Sequence, residues 1–284
     1  MKTRRAMLSG TWYSGTSSGC RQEIEYFIKN STVLPDLSSP VVGGIIPHAG
    51  WYYSGSIACD VIRLLSSGIS SPDALVIFGT HLYPDAPFTI MKEGAWETPL
   101  GNIAIHEPLV RALSLQSPFE FEAPDNDAPD NTIEVQLPFI KYFWNHVKIV
   151  PIGAPPSIKS VEMGKAVASV ARKMGLNIIV LGSTDLTHYG PNYGYTPQGR
   201  AETALQWTRD ANDRSVIDAI LSMNPLSIIQ EAQEKQNACC AGAAAAALSA
   251  GMALGAVRSK LVTYTTSYEK SPGESFVGYA GIVF

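Results

Sequence analysis

The 284-residue chain is 45% hydrophobic and carries 21 basic against 25 acidic residues, a formal net charge of -4. That content is ample for a buried core, and the charge balance excludes the basic field that nucleic-acid binding requires. No Pro/Gly/Ser-rich linker or run of charge divides residues 1–284, which read as a single domain.

Four cysteines at irregular spacing, two of them adjacent at Cys239-Cys240, do not make a secreted disulfide framework and fit a reducing, cytoplasmic setting. The basic Met1-Lys2-Thr3-Arg4-Arg5 leads into Ser9-Gly10-Thr11 instead of an apolar signal core. The stretch from Cys239 to Val257 is uncharged and about the length of a bilayer span. Its Ala, Gly and Ser contribute little transfer energy, so it reads as a small-residue helix packed inside the fold, with no membrane role.

In chain order, Gly10-Thr11-Trp12-Tyr13-Ser14-Gly15 is turn-rich, and Arg21 to Ile28 has helical apolar spacing. Val41-Val42-Gly43-Gly44-Ile45-Ile46 is a short β-branched run that Pro47 holds extended, and it ends at His48. A helix follows from Ser56 to Leu65, and then Ala74 to Gly79 forms a second apolar strand running into Thr80-His81. Between Pro87 and His106, the pieces Phe88–Met91 and Ile103–Ile105 flank the turn Thr98-Pro99-Leu100-Gly101-Asn102 and predict a hairpin. His106 precedes the helix start Glu107-Pro108 and reads as structural, as does His146 at a helix end.

Glu120 to Asp130 is acidic and proline-containing, a predicted surface loop, after which Asp130-Asn131-Thr132-Ile133-Glu134 opens a helix with polar capping residues. Val147–Ile152 is a strand and Ser157–Met174 a helix closed by Gly175. Asn177 to Leu181 is a third apolar strand, ending in Gly182-Ser183-Thr184-Asp185-Leu186-Thr187-His188. A long amphipathic helix from Ala201 to Ser222, another from Pro225, the small-residue helix and strands over Leu261–Thr266 and Phe276–Phe284 complete the chain. This alternation predicts an α/β sandwich around a largely parallel sheet with some antiparallel members.

Three strands ending in His48, His81 and Asp185/His188 would put three imidazoles and a carboxylate on one sheet edge, which suits either a metal or acid-base chemistry. Cys239 stands at the amino end of the small-residue helix, where the helix dipole favours thiolate, although a small buried residue in a packed helix would look the same. Cys20 and Cys59 lack such a context and read as structural. Ser54-Gly55-Ser56 and Gly182-Ser183-Thr184 lack the lysine-bearing and dinucleotide glycine patterns, and no Gly-x-Ser-x-Gly elbow is present.

Taken together, Pro47-His48-Ala49-Gly50 with Tyr53-Ser54-Gly55, Gly79-Thr80-His81, Thr98-Pro99-Leu100-Gly101, Ile133-Glu134-Val135-Gln136-Leu137-Pro138-Phe139, Ser183 to Gly190 and the cysteine after Asn237 resemble the Memo family in order and spacing. The resemblance runs from Trp12-Tyr13 to the carboxyl terminus. It implies a fold similar to the class III extradiol dioxygenases, which are non-haem iron enzymes. It also implies an association with a radical SAM protein and an AMMECR-type protein.

Carried over by position, the resemblance implies a metal pocket of His48, His81 and Cys239 with Asp185 and His188 alongside. Three positions depart from the family pattern: Asn131 stands for a histidine, Cys240 for a glycine and Ala243 for a proline. Register favours Cys239 over Cys240 as the pocket thiol. The leading expectation is an iron-dependent oxidative step on a small planar substrate, with copper or zinc as other occupants. His188 would be the acid-base residue and Asp185 its orienting partner. One alternative is zinc-dependent hydrolysis with His188 or Glu134 as base. Another is a peptide- or phosphotyrosine-binding module, since animal relatives are implicated in receptor tyrosine kinase signalling. No arginine cluster beside the histidines supports that last reading.

Overall fold

The computed structural model describes residues 2–31, 41–125, 128–199 and 202–284. In chain order they form β1 (Thr3–Arg4), α1 (Ser17–Asn30), β2 (Gly43–Ile46), α2 (Trp51–Gly68), β3 (Ala74–Gly79), β4 (Thr89–Met91), β5 (Ala95–Trp96), β6 (Ile103–Ala104), α3 (Glu107–Ser114) and β7 (Glu120–Glu122). There follow α4 (Asn131–Glu134), α5 (Leu137–Phe143), β8 (Lys148–Gly153), α6 (Ile158–Lys173), β9 (Ile178–Ser183) and β10 (His188–Tyr189). The last elements are α7 (Glu202–Trp207), α8 (Asp213–Leu221), α9 (Pro225–Lys235), α10 (Ala241–Leu254), β11 (Lys260–Thr266) and β12 (Phe276–Val283).

The main sheet runs β10-β12-β2-β9-β3-β8-β4-β7, with β11 also paired to β12. Its centre is parallel: β2 pairs β9, and β3 pairs both β9 and β8. β12 joins β2 antiparallel, and β4 joins β8 antiparallel. Every residue of β2, β3 and β9 is buried, as expected of strands covered on both faces, which is why these runs read as continuous rather than alternating. The helix α2 packs on β2 and β12 with α1 and α5 beside it, and α10 packs on β9, β3 and β2 with α6 and α9 beside it. Glycine lets the second layer close tightly, because a Cβ on Gly164 of α6 would overlap the Ala246 carbonyl oxygen of α10. No helix among the described residues is long and apolar enough to cross a membrane.

Three expectations need correction. Phe88–Met91 and Ile103–Ile105 are not hairpin partners: β4 lies in the main sheet, while Ile103–Ala104 pairs antiparallel with Ala95–Trp96 in a small sheet completed by β1. The turn itself was read correctly, with Thr98 Oγ1 donating to the Gly101 carbonyl and Gly101 at φ 112°, but the strand it closes is only two residues long and shows no periodicity. The acidic Glu120–Asp130 segment contains the edge strand β7, whose Glu122 pairs with Arg4 and accepts from Thr89 Oγ1 at 2.7 Å. The helix predicted over Ala201–Ser222 is interrupted by a π-helical turn at Thr208–Asn212. Its start at Ala201 lies outside the described residues, as do Met1, Asn126 and Asp127.

Candidate metal centre

The carboxyl ends of β2, β9 and β3 lie level, with Ile46 opposite Ser183 and Phe78 opposite Gly182. Residues just beyond these ends therefore share one edge. Pro47 ends β2, its carbonyl accepts from Gln136 Nε2 at 2.7 Å, and the His48 carbonyl accepts from Asn131 Nδ2 at 3.1 Å. At the end of β3 the chain turns through Thr80, whose φ of 65° lies in the left-handed region that non-glycine residues seldom occupy. The turn is held by Thr80 N–H donating to Thr132 Oγ1 at 2.7 Å and Thr80 Oγ1 donating to Asp130 at 3.1 Å, and it delivers the exposed His81. Such a conformation persists only where surrounding bonds fix it.

The thiol arrives from the far end of the chain. After α9 the left-handed Gln236 reverses direction, and the Cys239 and Cys240 N–H groups donate to the Asp185 carbonyl at 3.2 Å and to Thr184 Oγ1 at 3.0 Å. Cys239 Sγ then lies 3.2 Å from His48 Nε2 and accepts from Asp185 N–H at 3.3 Å. The His48 and His81 rings meet edge to face at 5.1 Å. The ligand atoms of His48, His81, Cys239 and Cys240 all lie within 4.8 Å of one another. Nitrogen and sulfur donors converging from distant parts of the chain suit a transition-metal ion or zinc.

The surroundings prepare these donors. His48 Nδ1 contacts Ser183 Oγ at 3.1 Å, which leaves Nε2 as the atom facing the cluster. Asp185 accepts the His48 backbone N–H at 2.7 Å and brings its second oxygen to 3.9 Å from His48 Nε2. Burial disfavours a charged His48, yet the Asp185 carboxylate and the Cys239 thiolate outweigh it and push its pKa up to about 9. Burial likewise opposes ionisation of Cys239, but the Cys240 thiol and the two imidazoles hold it well below the usual thiol range. The hydrogen bond to Cys239, with burial and the Cys239 charge, pushes Cys240 well above that range. Burial raises Asp185, and the neighbouring His48 resists the rise.

A cavity of about 630 Å³ opens over His48, His81, Asp185 and His188. Its walls include Trp12, Tyr52, Tyr53, Tyr193 and Tyr279, and no lysine or arginine among the described residues lines it. His188 sits against the edge of Tyr193 at 5.0 Å, with Nδ1 held at 3.1 Å by the Leu186 carbonyl. Behind it, Asp213 accepts from the Thr187 N–H and hydroxyl and from Tyr264 Oη. Asn212, in the π-helical turn, donates to Thr187 Oγ1 at 2.9 Å, and its own carbonyl accepts from Asn237 Nδ2 at 2.9 Å. One buried network therefore supports both the His188 loop and the approach to Cys239.

Thus His48, His81, Cys239 and Asp185 come together, and His188 lines the adjoining cavity. Glu134 does not join them: its carboxylate accepts from Met7 N–H, Leu8 N–H and Tyr13 Oη at 3.0, 2.7 and 2.9 Å, so it anchors the amino-terminal segment. Cys20 and Cys59 are buried free thiols, His106 caps α3 by accepting from Leu109 N–H, and His146 is exposed. Sequence reasoning missed the orienting contact of Ser183 and the support from Asn212 and Asp213. Ser183 was open to inference, standing at the end of the strand paired with β2, whereas Asn212 and Asp213 lie inside an amphipathic helical pattern with no local signal.

A family model described as Memo-like protein matches residues 4–283. A MEMO1 family protein of Pyrobaculum arsenaticum is 30% identical, with 100% of this chain and 99% of that one covered. A MEMO1 family protein of Pyrococcus furiosus is 33% identical over 99% and 98% of the two chains. Among solved structures, an uncharacterized protein from Escherichia coli K12 superposes with a TM-score of 0.51 at 13% identity, covering 85% of this chain and 98% of that one. That likeness shows the shared fold alone.

Proposed function

This chain belongs to the Memo family, and on that premise we propose that His48, His81 and Cys239 hold a redox-active metal ion, ferrous iron foremost, for an oxidative step on a small, uncharged, planar substrate. The observation that carries the reading is the convergence of two imidazoles and a thiolate-favouring cysteine at one point beside an aromatic cavity. The resemblance to class III extradiol dioxygenases noted from the sequence points the same way. An iron ion so held would supply one-electron reactivity toward dioxygen and positions for exogenous ligands.

The chain's own residues do the rest. Tyr53, Tyr193 and Tyr279 line the cavity and would pack against a planar substrate and exclude water from it. With Nδ1 engaged by the Leu186 carbonyl, His188 has Nε2 free to take a proton from a substrate hydroxyl and return it. Asp185 and Ser183 fix the His48 ring. No arginine or lysine among the described residues lines the cavity, which disfavours a phosphotyrosine ligand. A cytoplasmic setting, where the four free thiols stay reduced, and work alongside a radical SAM protein and an AMMECR-type protein belong to the same proposal.

Metal analysis of anaerobically purified protein tests it. Ferrous iron close to one per chain, lost in His81→Ala while circular dichroism is unchanged, is the expected result. Zinc in its place would move the reading to hydrolysis with His188 as base, and a wild-type protein that retains no metal and takes none up would sink it.

A further inference from the structure

The cluster contains a fourth donor, and the geometry points to Cys240 as a second thiolate ligand, making a two-histidine, two-cysteine centre for a thiophilic divalent cation. This rests on the reading that His48, His81 and Cys239 hold a metal. Cys240 is only 3% exposed, and its sulfur is within 4.8 Å of each of the other three ligand atoms. Four-coordinate sites of two nitrogens and two sulfurs place donors about 3.3–3.8 Å apart, from bond lengths of about 2.0 and 2.3 Å. The His48 to Cys239 contact of 3.2 Å is already at that spacing, so the others need to close by about 1.5 Å at most.

Adjacent cysteines in an extended strand would point to opposite sides, and here the backbone prevents that. Cys240 is the N-cap residue of α10, at φ -126° and ψ 53°, with its N–H fixed on Thr184 Oγ1 and its carbonyl accepting from Ala243 N–H at 3.0 Å. Its side chain makes no capping bond, and the only acceptor its thiol reaches outside the cluster among the described residues is the Thr80 carbonyl at 3.8 Å, a long and weak contact. That carbonyl belongs to the turn delivering His81, so the Cys240 sulfur lies against the backbone that positions His81. Metal entry would displace the Cys240 proton to solvent, as ligation of a thiol requires. A six-coordinate ion bound by all four donors keeps two positions for exogenous ligands, whereas a four-coordinate ion is closed.

Anaerobic titration of metal-free protein with cobalt(II), followed by its thiolate-to-metal charge-transfer absorption, reads the number of sulfurs directly. Wild type should show the intensity of two thiolates. Cys240→Ala and Cys240→Ser should each show about half of it and bind cobalt at least about tenfold more weakly, with unchanged circular dichroism. Full intensity and affinity in both variants would overturn the assignment while leaving the metal reading intact. A natively folded wild type that binds no cobalt would overturn both.

Discussion

His188 and Glu134 are both polar residues at the edge of apolar sequence, and their surroundings give them different work. His188 lines the cavity with one ring nitrogen tied to the Leu186 carbonyl, so His188→Gln should leave metal content unchanged and lower turnover by about 10²-fold to 10⁴-fold, the usual share of acid-base catalysis. Parallel metal analysis and activity measurement check this, and loss of metal would make His188 a ligand instead. Glu134 satisfies two part-buried backbone N–H groups and a buried tyrosine hydroxyl from residues 7–13, so Glu134→Gln should cost about 1–3 kcal/mol in urea unfolding and leave bound metal in place. Strand-end histidines were legible because an apolar run makes an abrupt polar terminus stand out. The anchoring role of Glu134 was not, because its partners lie more than a hundred residues away and only the tertiary fold brings them near.

At the scale of elements, the best-read segments were those whose burial on both faces leaves an unbroken apolar run, as in β2, β3 and β9. The poorly read ones were two-residue strands, the glutamate-bearing edge strand β7 and the π-helical turn, none of which leaves a periodic trace. The small-residue pattern of α10 was legible as tight packing, and Gly164 in α6 is its counterpart. Gly164→Ala would drive a methyl group into the Ala246 carbonyl, forcing α6 and α10 apart at a cost of about 1–3 kcal/mol. Calorimetry should show a Tm lowered by several degrees. Because Cys239 and Cys240 precede α10, metal affinity should weaken along with it, and an unshifted Tm would mean the helices part freely.

Across the whole molecule, Asp213 joins parts far apart in sequence: the loop after β9 through Thr187, and β11 through Tyr264. Burial pushes its pKa from 3.8 up to about 6 against the pull of these hydrogen bonds. The folded state thus holds this proton more tightly than the unfolded chain does. The contribution is complete below about pH 4 and lost as pH climbs through about 6, amounting to about 3 kcal/mol. Asp213→Asn should flatten that segment of the stability profile, seen as urea midpoints at pH 4.5 and 6.5 that differ less than in wild type. The strand order carries a further consequence for biosynthesis. β12 comes later in the chain than β2, β10 and β11, yet it lies between them in the sheet. A chain emerging from the ribosome therefore carries β2 with an open edge, ready to pair with a stranger, until nearly all of the protein has been made. The histidine at the end of β2 waits almost as long for its cysteine, so the His48, His81 and Cys239 donor set comes together only after residue 239 has emerged, late in synthesis.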